Sequence, residues 1–193
     1  MINKTMKNYL VLFFLVMLTV ISLIIFARTP TTLDGSDVTK ISRQYPTIFL
    51  IRHGERCDRS QNKCLSATEG ITVNGANKAR QYGKVFNKMF PSYGLYSTDT
   101  PRTVQTAIFF SGGKKPTIPE ISTFDNDAIN NILKISEHNK VTVIFTHNHC
   151  LSRIAKKMNG WRLKPDYMDT LVLHRKNNHL ILNGNLKSDN LLH

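Results

Sequence analysis

The segment Arg52-His53-Gly54-Glu55-Arg56 sets two guanidiniums around an imidazole, with a glycine beside it. A neutral imidazole tied by a hydrogen bond at one nitrogen can attack phosphorus through the other. Arginines offer planar forks to phosphoryl oxygens and keep their charge at any relevant pH. Gly54 lets the backbone turn sharply and lets a substrate approach. A second histidine, His147, and a further arginine, Arg102, complete the candidates. The set fits in-line phosphoryl transfer, which rests on positioning and charge stabilisation. Because the arginines supply the positive charge, this chemistry needs no metal and no cofactor.

Each candidate sits where a structural element ends. Thr47-Ile48-Phe49-Leu50-Ile51 reads as a buried strand that delivers Arg52 and His53 to a sheet rim. Ligands of open α/β sheets bind at that carboxyl end. Val141 to Phe145 repeats the pattern and ends in Thr146-His147. Gly94 to Ser97 is a brief strand, and Thr100 followed by Pro101 signals a helix start. Arg102 then falls in a first turn, where free N–H groups and a formal charge favour an anion. Taken singly, an Arg-His pair or a helical arginine reads as solvated charge; three such clusters at comparable strand ends do not. Asn74 is placed to cap a helix in which Ala76, Ala79, Gly83, Phe86 and Phe90 form a core stripe. A short helical turn over Val38 to Tyr45 precedes the first strand, and a helix from Cys150 to Met158 follows His147. Leu171 to His174 and His179 to Leu182 flank Arg175-Lys176-Asn177-Asn178 as a closing hairpin. These elements predict a three-layer α/β sandwich with a mostly parallel sheet.

The 193 residues, 41% of them apolar, suffice for one domain and a short extra segment. The net charge is +13, from 26 Lys+Arg against 13 Asp+Glu; without Lys4 and Lys7 it is +11. Such an excess favours an anionic partner: nucleic acid, a membrane surface or a phosphorylated glycolipid. The basic residues are scattered without a nucleic-acid motif, which argues against nucleic acid. Tyr9 to Ala27 carries no charge, and its 19 residues approach the roughly 20 that a membrane-spanning helix needs. Lys4 and Lys7 before it predict a cytoplasmic amino terminus and an exported remainder. Ile25-Phe26-Ala27 lacks the small-x-small pattern of a cleavage site, favouring an uncleaved anchor over a cleaved signal. Residues 28–40 read as a polar tether, 41–184 as the domain and 185–193 as a polar tail. In an exported chain Cys57 and Cys64 read as a disulfide closing a small loop, since no matching pair supports a metal site. Cys150 is left over as a buried thiol, and His149 reads as structural.

Arg52-His53-Gly54 after the first strand resembles the signature of the histidine phosphatase superfamily. Ser97 to Ala107 resembles that superfamily's serine-to-arginine motif ending in Gln-Thr-Ala. The resemblance implies a phosphoglycerate-mutase-like fold, His53 as nucleophile, and Arg52, Arg56, Arg102 and His147 as phosphate ligands. Arg56 matches the second arginine of the acid-phosphatase and phytase branch, which also places an aspartate after the second histidine. This chain has Asn148 there, and an amide cannot protonate a leaving group. In the mutase branch the acid resembles Asp127, at the start of a helix running to Ile135. Asp127 also reads as a capping carboxylate, and Glu120 and Asp125 are further candidates. The span 113–140 is short, implying a minimal cap and an open site. The strings Arg52 to Ser60, Cys64 to Ser66, Gly70 to Val73, Phe145 to Leu151 and Lys164 to Tyr167 are similar to bacterial phosphatases of lipopolysaccharide core heptose. That likeness implies a phosphorylated glycolipid partner and a periplasmic domain, secreted or anchored to the inner membrane. A mutase is disfavoured by export, a phytase by the missing His-Asp pair. A non-catalytic glycolipid binder would have no need of His53.

Overall fold

A strand covered on both faces reads as a continuous apolar run, and Thr47–Arg52 (β2) is such a strand. The computed structural model describes residues 4–66, 69–119 and 127–192 of the chain. The strands are β1 (Thr32–Leu33), β2, β3 (Gly94–Ser97), β4 (Val141–Thr146), β5 (Thr170–Lys176) and β6 (His179–Leu186). They form one sheet in the order β1-β6-β5-β2-β4-β3. Only β5 opposes the common direction, so the sheet is mostly parallel as expected. Helices are α1 (Lys4–Ala27), α2 (Gly35–Gln44), α3 (Val73–Met89), α4 (Pro101–Phe110), α5 (Ala128–Ile135), α6 (Asn148–Asn159) and α7 (Ser188–Leu192).

Side chains alternate across a strand. Phe49 and Ile51 therefore join Val143 and Phe145 in one core cluster, while Ile48 and Leu50 join Ile144 in the other. The first is covered by α3 and α4, with Phe86 against Phe49 and Phe110 against Phe145 at ring distances of 4.9 and 5.1 Å. The second is covered by α5 and α6 through Ile132, Leu151 and Ile154. Three layers result. A Cβ on Gly83 would stand 1.8 Å from the Phe110 carbonyl oxygen, so glycine alone lets α3 and α4 meet backbone to backbone.

Several boundaries differ from the sequence reading. The span 28–40 is not a mere polar tether: β1 pairs with β6, and α2, capped by Asp34, starts at Gly35, three residues before the expected turn. The Asp34 carboxylate accepts from Ser36 and Asp37 while the Asp37 side chain accepts from Asp34 N, closing a capping box. The tail is ordered too, because β6 runs to Leu186 and α7 buries Leu191 against the first cluster. Thr72, not Asn74, caps α3, accepting from Gly75 N at 2.9 Å. The helix after β4 starts at Asn148, with His147 at its cap position. Helix α1 is exposed along its length and meets the domain only near its last turn, and its stretch Met6–Ala27, of mean hydropathy 3.1, is long and apolar enough to cross a membrane. A signal sequence has the same character.

Candidate active site

Parallel register brings three strand ends level. Arg52 lies opposite Thr146, and Ser97 opposite Phe145. The residues that follow, His53, Thr98 and His147, therefore gather at one rim, and Pro101 at the first position of α4 turns Arg102 in beside them.

His53 is 2% exposed, and its Nδ1 lies 2.7 Å from the Gly54 carbonyl oxygen. A carbonyl only accepts, so Nδ1 carries the proton and Nε2 keeps its lone pair. Burial pushes the pKa of His53 down to about 3, and His147, Arg52 and Arg102 press it the same way. The ring is neutral near pH 7, as a nucleophile requires. Gly54 N donates to Thr106 Oγ1 at 2.9 Å, and that hydroxyl donates to Arg102 O at 2.6 Å. One threonine thus joins the tip of β2 to the first turn of α4. Gly54 does not use a left-handed turn. Its need is closeness: a Cβ there would meet Gly75 O at 3.1 Å, and one on Gly75 would meet Glu55 N at 2.7 Å.

The His147 ring stands 5.5 Å from that of His53. Its Nδ1 is 3.4 Å from an Arg102 terminal nitrogen, which can only donate. Nδ1 is then the acceptor, and Nε2–H points to Thr98 Oγ1 at 3.3 Å. Burial first, then Arg102, lowers the His147 pKa to about 4. Arg52 donates to Pro165 O at 2.7 Å and lies 4.0 Å from the Tyr167 ring centre. Its Nε and that of Arg102 are buried without a protein partner among the described residues. Donors of that kind call for an acceptor, and a bound phosphoryl group is one. Arg56 is engaged by Asp58, its Nε 2.8 Å from Oδ1. Its charge still acts on Arg52, Arg102 and His147.

Glu55 braces the loop after β2. Its carboxylate accepts from Thr72 at 2.6 Å and from Ser60 and Asn62 at 3.0 Å, and the Thr72 bond leads in lowering its pKa. Cys57 and Cys64 are disulfide-bonded, with Cα atoms 5.3 Å apart. Closing so short a loop contributes about 2–3 kcal/mol in the chain-entropy model. Cys150 is a buried thiol, as expected, and burial raises its pKa. His149 is exposed and stacks on His147.

Asp127 takes the cap position of α5 without a side-chain capping bond, and it is exposed. No described contact brings it to His53, while Glu120 and Asp125 lie outside the described residues. Sequence reasoning gave no role to Tyr167, Thr98 or Thr106. Thr106 carried a signal in its helical spacing from Arg102; Tyr167 carried one only as the end of the Lys164 to Tyr167 string, and its contact with the Arg52 guanidinium is visible only in the fold.

The two neutral histidines set an acid limit on stability. Their folded pKa values lie below the 6.5 of a free imidazole, so the unfolded chain binds more protons between about pH 6.5 and 3. Stability is complete above that window and falls as pH drops through it. The urea midpoint followed by Trp161 fluorescence should decline between neutral pH and about pH 4.5. A flat profile would mean that the rings are not buried neutral.

The fold and the rim cluster define a histidine phosphatase, a phosphoric monoester hydrolase. No family model matches the chain. Over 156 residues it is 47% identical to the lipopolysaccharide core heptose(II)-phosphate phosphatase of Salmonella arizonae, covering 79% of this chain and 77% of that one. The Salmonella schwarzengrund protein of the same name is 46% identical over the same shares. The chain belongs to the lipopolysaccharide core heptose(II)-phosphate phosphatase family. Among solved structures, the fold is similar to the protein histidine phosphatase SixA complexed with tungstate, at TM-score 0.59, 11% identity and coverage of 75% and 99%. It is also similar to the Entamoeba histolytica phosphoserine phosphatase, at TM-score 0.56, 14% identity and coverage of 75% and 98%.

Proposed function

We propose that this phosphatase removes phosphate from heptose of the lipopolysaccharide core, at the outer face of the inner membrane to which α1 anchors it. The observation that carries the mechanism is His53, neutral and pinned through Nδ1 with Nε2 free, between Arg52, Arg102 and His147. Nε2 forms a bond to phosphorus as the ester P–O bond breaks, and an acid protonates the departing sugar oxygen. Water then attacks the phosphohistidine; the P–N bond breaks, inorganic phosphate leaves and neutral His53 returns. Arg52, Arg102 and His147 hold the phosphoryl oxygens, and Arg56 adds charge at the edge. The substrate assignment draws on the names of the relatives, on the export signal of Tyr9 to Ala27 and on the basic exported domain. The test is the phosphate content of core oligosaccharide from cells with and without the active protein. Equal phosphorylation of the second heptose, under confirmed expression, would leave a broad periplasmic phosphomonoesterase.

We assign the acid to Asp127, the exposed carboxylate at the start of α5, on its resemblance to the place of the acid in the mutase branch. Asp127→Asn should slow sugar phosphates by roughly 100-fold while aryl phosphates, whose leaving groups need little protonation, change far less. Equal loss on both classes would move the role to Glu120 or another carboxylate.

A further inference from the structure

Arg162 N donates to Arg28 O at 2.9 Å, seating the domain against the end of the apolar helix α1. Two cavities meet at this joint. One, of about 550 Å³, is walled by Arg28, Lys156, Trp161 and Arg162. The other, of about 230 Å³, shares Arg28 and Arg162 but opens along Ile24 and Ile25 of α1. The upper cavity thus presents three cationic side chains and no carboxylate, and the lower one an apolar wall that continues down the helix. Ser152 Oγ donates to Leu163 O at 2.8 Å, and both residues line the larger cavity.

We infer that this joint is a binding site for the headgroup of an anionic phospholipid. Its phosphate lies among Arg28, Lys156 and Arg162, and an acyl chain follows Ile24 and Ile25 into the bilayer. The site rests on the reading of α1 as a retained anchor, which places Arg28 at the membrane surface. Arginine and lysine beside a bilayer favour anionic lipid, whereas a zwitterionic headgroup brings its own ammonium towards three cations. Trp161 in the wall suits the depth at which aromatic rings meet headgroups. The occupied joint also fixes the height of the catalytic rim. From Arg162 to Tyr167, which flanks Arg52 and His53, the chain has five steps and spans at most about 18 Å. A phosphoester on a lipid-linked sugar of the same leaflet lies within that reach.

The experiment uses the full chain in nanodiscs of phosphatidylcholine, alone or mixed with phosphatidylglycerol, with bound lipid read by native mass spectrometry. Wild type should hold phosphatidylglycerol roughly ten-fold more tightly than phosphatidylcholine. Arg28→Gln/Lys156→Gln/Arg162→Gln should lose that preference, while Lys84→Gln/Lys88→Gln/Lys134→Gln, with the same change of charge elsewhere, keeps it. Circular dichroism checks the fold, and Arg28→Gln alone, outside the domain, carries the comparison if the triple variant misfolds. Retention of phosphatidylglycerol by the joint variants, or no preference in wild type, would overturn the site. The same spectra give the intact mass: a chain lacking α1 would overturn the anchor reading and the site together, whereas unselective binding with α1 present overturns the site alone.

Discussion

His53→Ala should lower turnover of any phosphomonoester by at least ~10⁴-fold, because the other imidazole at the rim, His147, has its ring nitrogens engaged by Arg102 and Thr98. The wild type, quenched during turnover, should carry an acid-labile phosphate on His53, and the variant none. The geometry leaves little latitude: Nδ1 is committed to Gly54 O, so only Nε2 can bond to phosphorus. Burial keeps that nitrogen unprotonated well below neutral pH, so the loss should be equally deep in mild acid. Retention of a tenth of wild-type activity would sink the covalent mechanism.

The second large effect belongs to Arg102. Its guanidinium supports His147 through Nδ1, and its backbone carbonyl accepts from the threonine that holds Gly54. Arg102→Lys keeps the charge and the helix but replaces a planar fork with a single point donor. It cannot support His147 and bind two phosphoryl oxygens at once. We expect kcat/KM on an aryl phosphate to fall roughly 10²–10³-fold, with inorganic phosphate inhibiting more weakly. A change below about five-fold would make Arg102 a bystander and shift the charge role to Arg56.

The tips of β2 and β4 were legible in the sequence because a buried strand must be an unbroken apolar run, which makes its end visible. The start of α4 was equally plain from Thr100-Pro101. Local pattern could not see features that exist only through pairing. Strand β1 is two residues long and is a strand only because β6 lies beside it. Asn74 and Thr72 are both good caps; Thr72 takes the position while its hydroxyl also donates to Glu55, a residue distant in sequence. The sequence suggested why Gly54 is useful but not why nothing larger fits, since the obstacle, Gly75, belongs to α3. Arg56 was read as a phosphate ligand, and its pairing with Asp58 two residues on was not anticipated. The acid was the hardest part: Asp127 is marked only by the helix that follows it, and no strand end or helical stripe marks Glu120 or Asp125.

The glycine contact between α3 and α4 bears on how this enzyme could be redirected. Gly83 presses one helix onto the backbone of the other at Phe110, and Gly75 presses the start of α3 onto Glu55 beside the nucleophile. The parts that handle phosphate are therefore mounted on a block with no slack, and a methyl group added inside it would displace the machinery as a whole. The segments that meet the rest of a substrate are mounted differently. Beside the rim, Arg59, Gln61, Lys63, Ser66, Lys164 and Asp166 are exposed side chains standing on a frame held by the Cys57–Cys64 disulfide and by the buried Trp161 and Leu163. A library aimed at a new phosphorylated sugar should vary those exposed positions and leave the frame and the helix joint untouched, so that the choice of alcohol can change while the handling of phosphorus stays as it is.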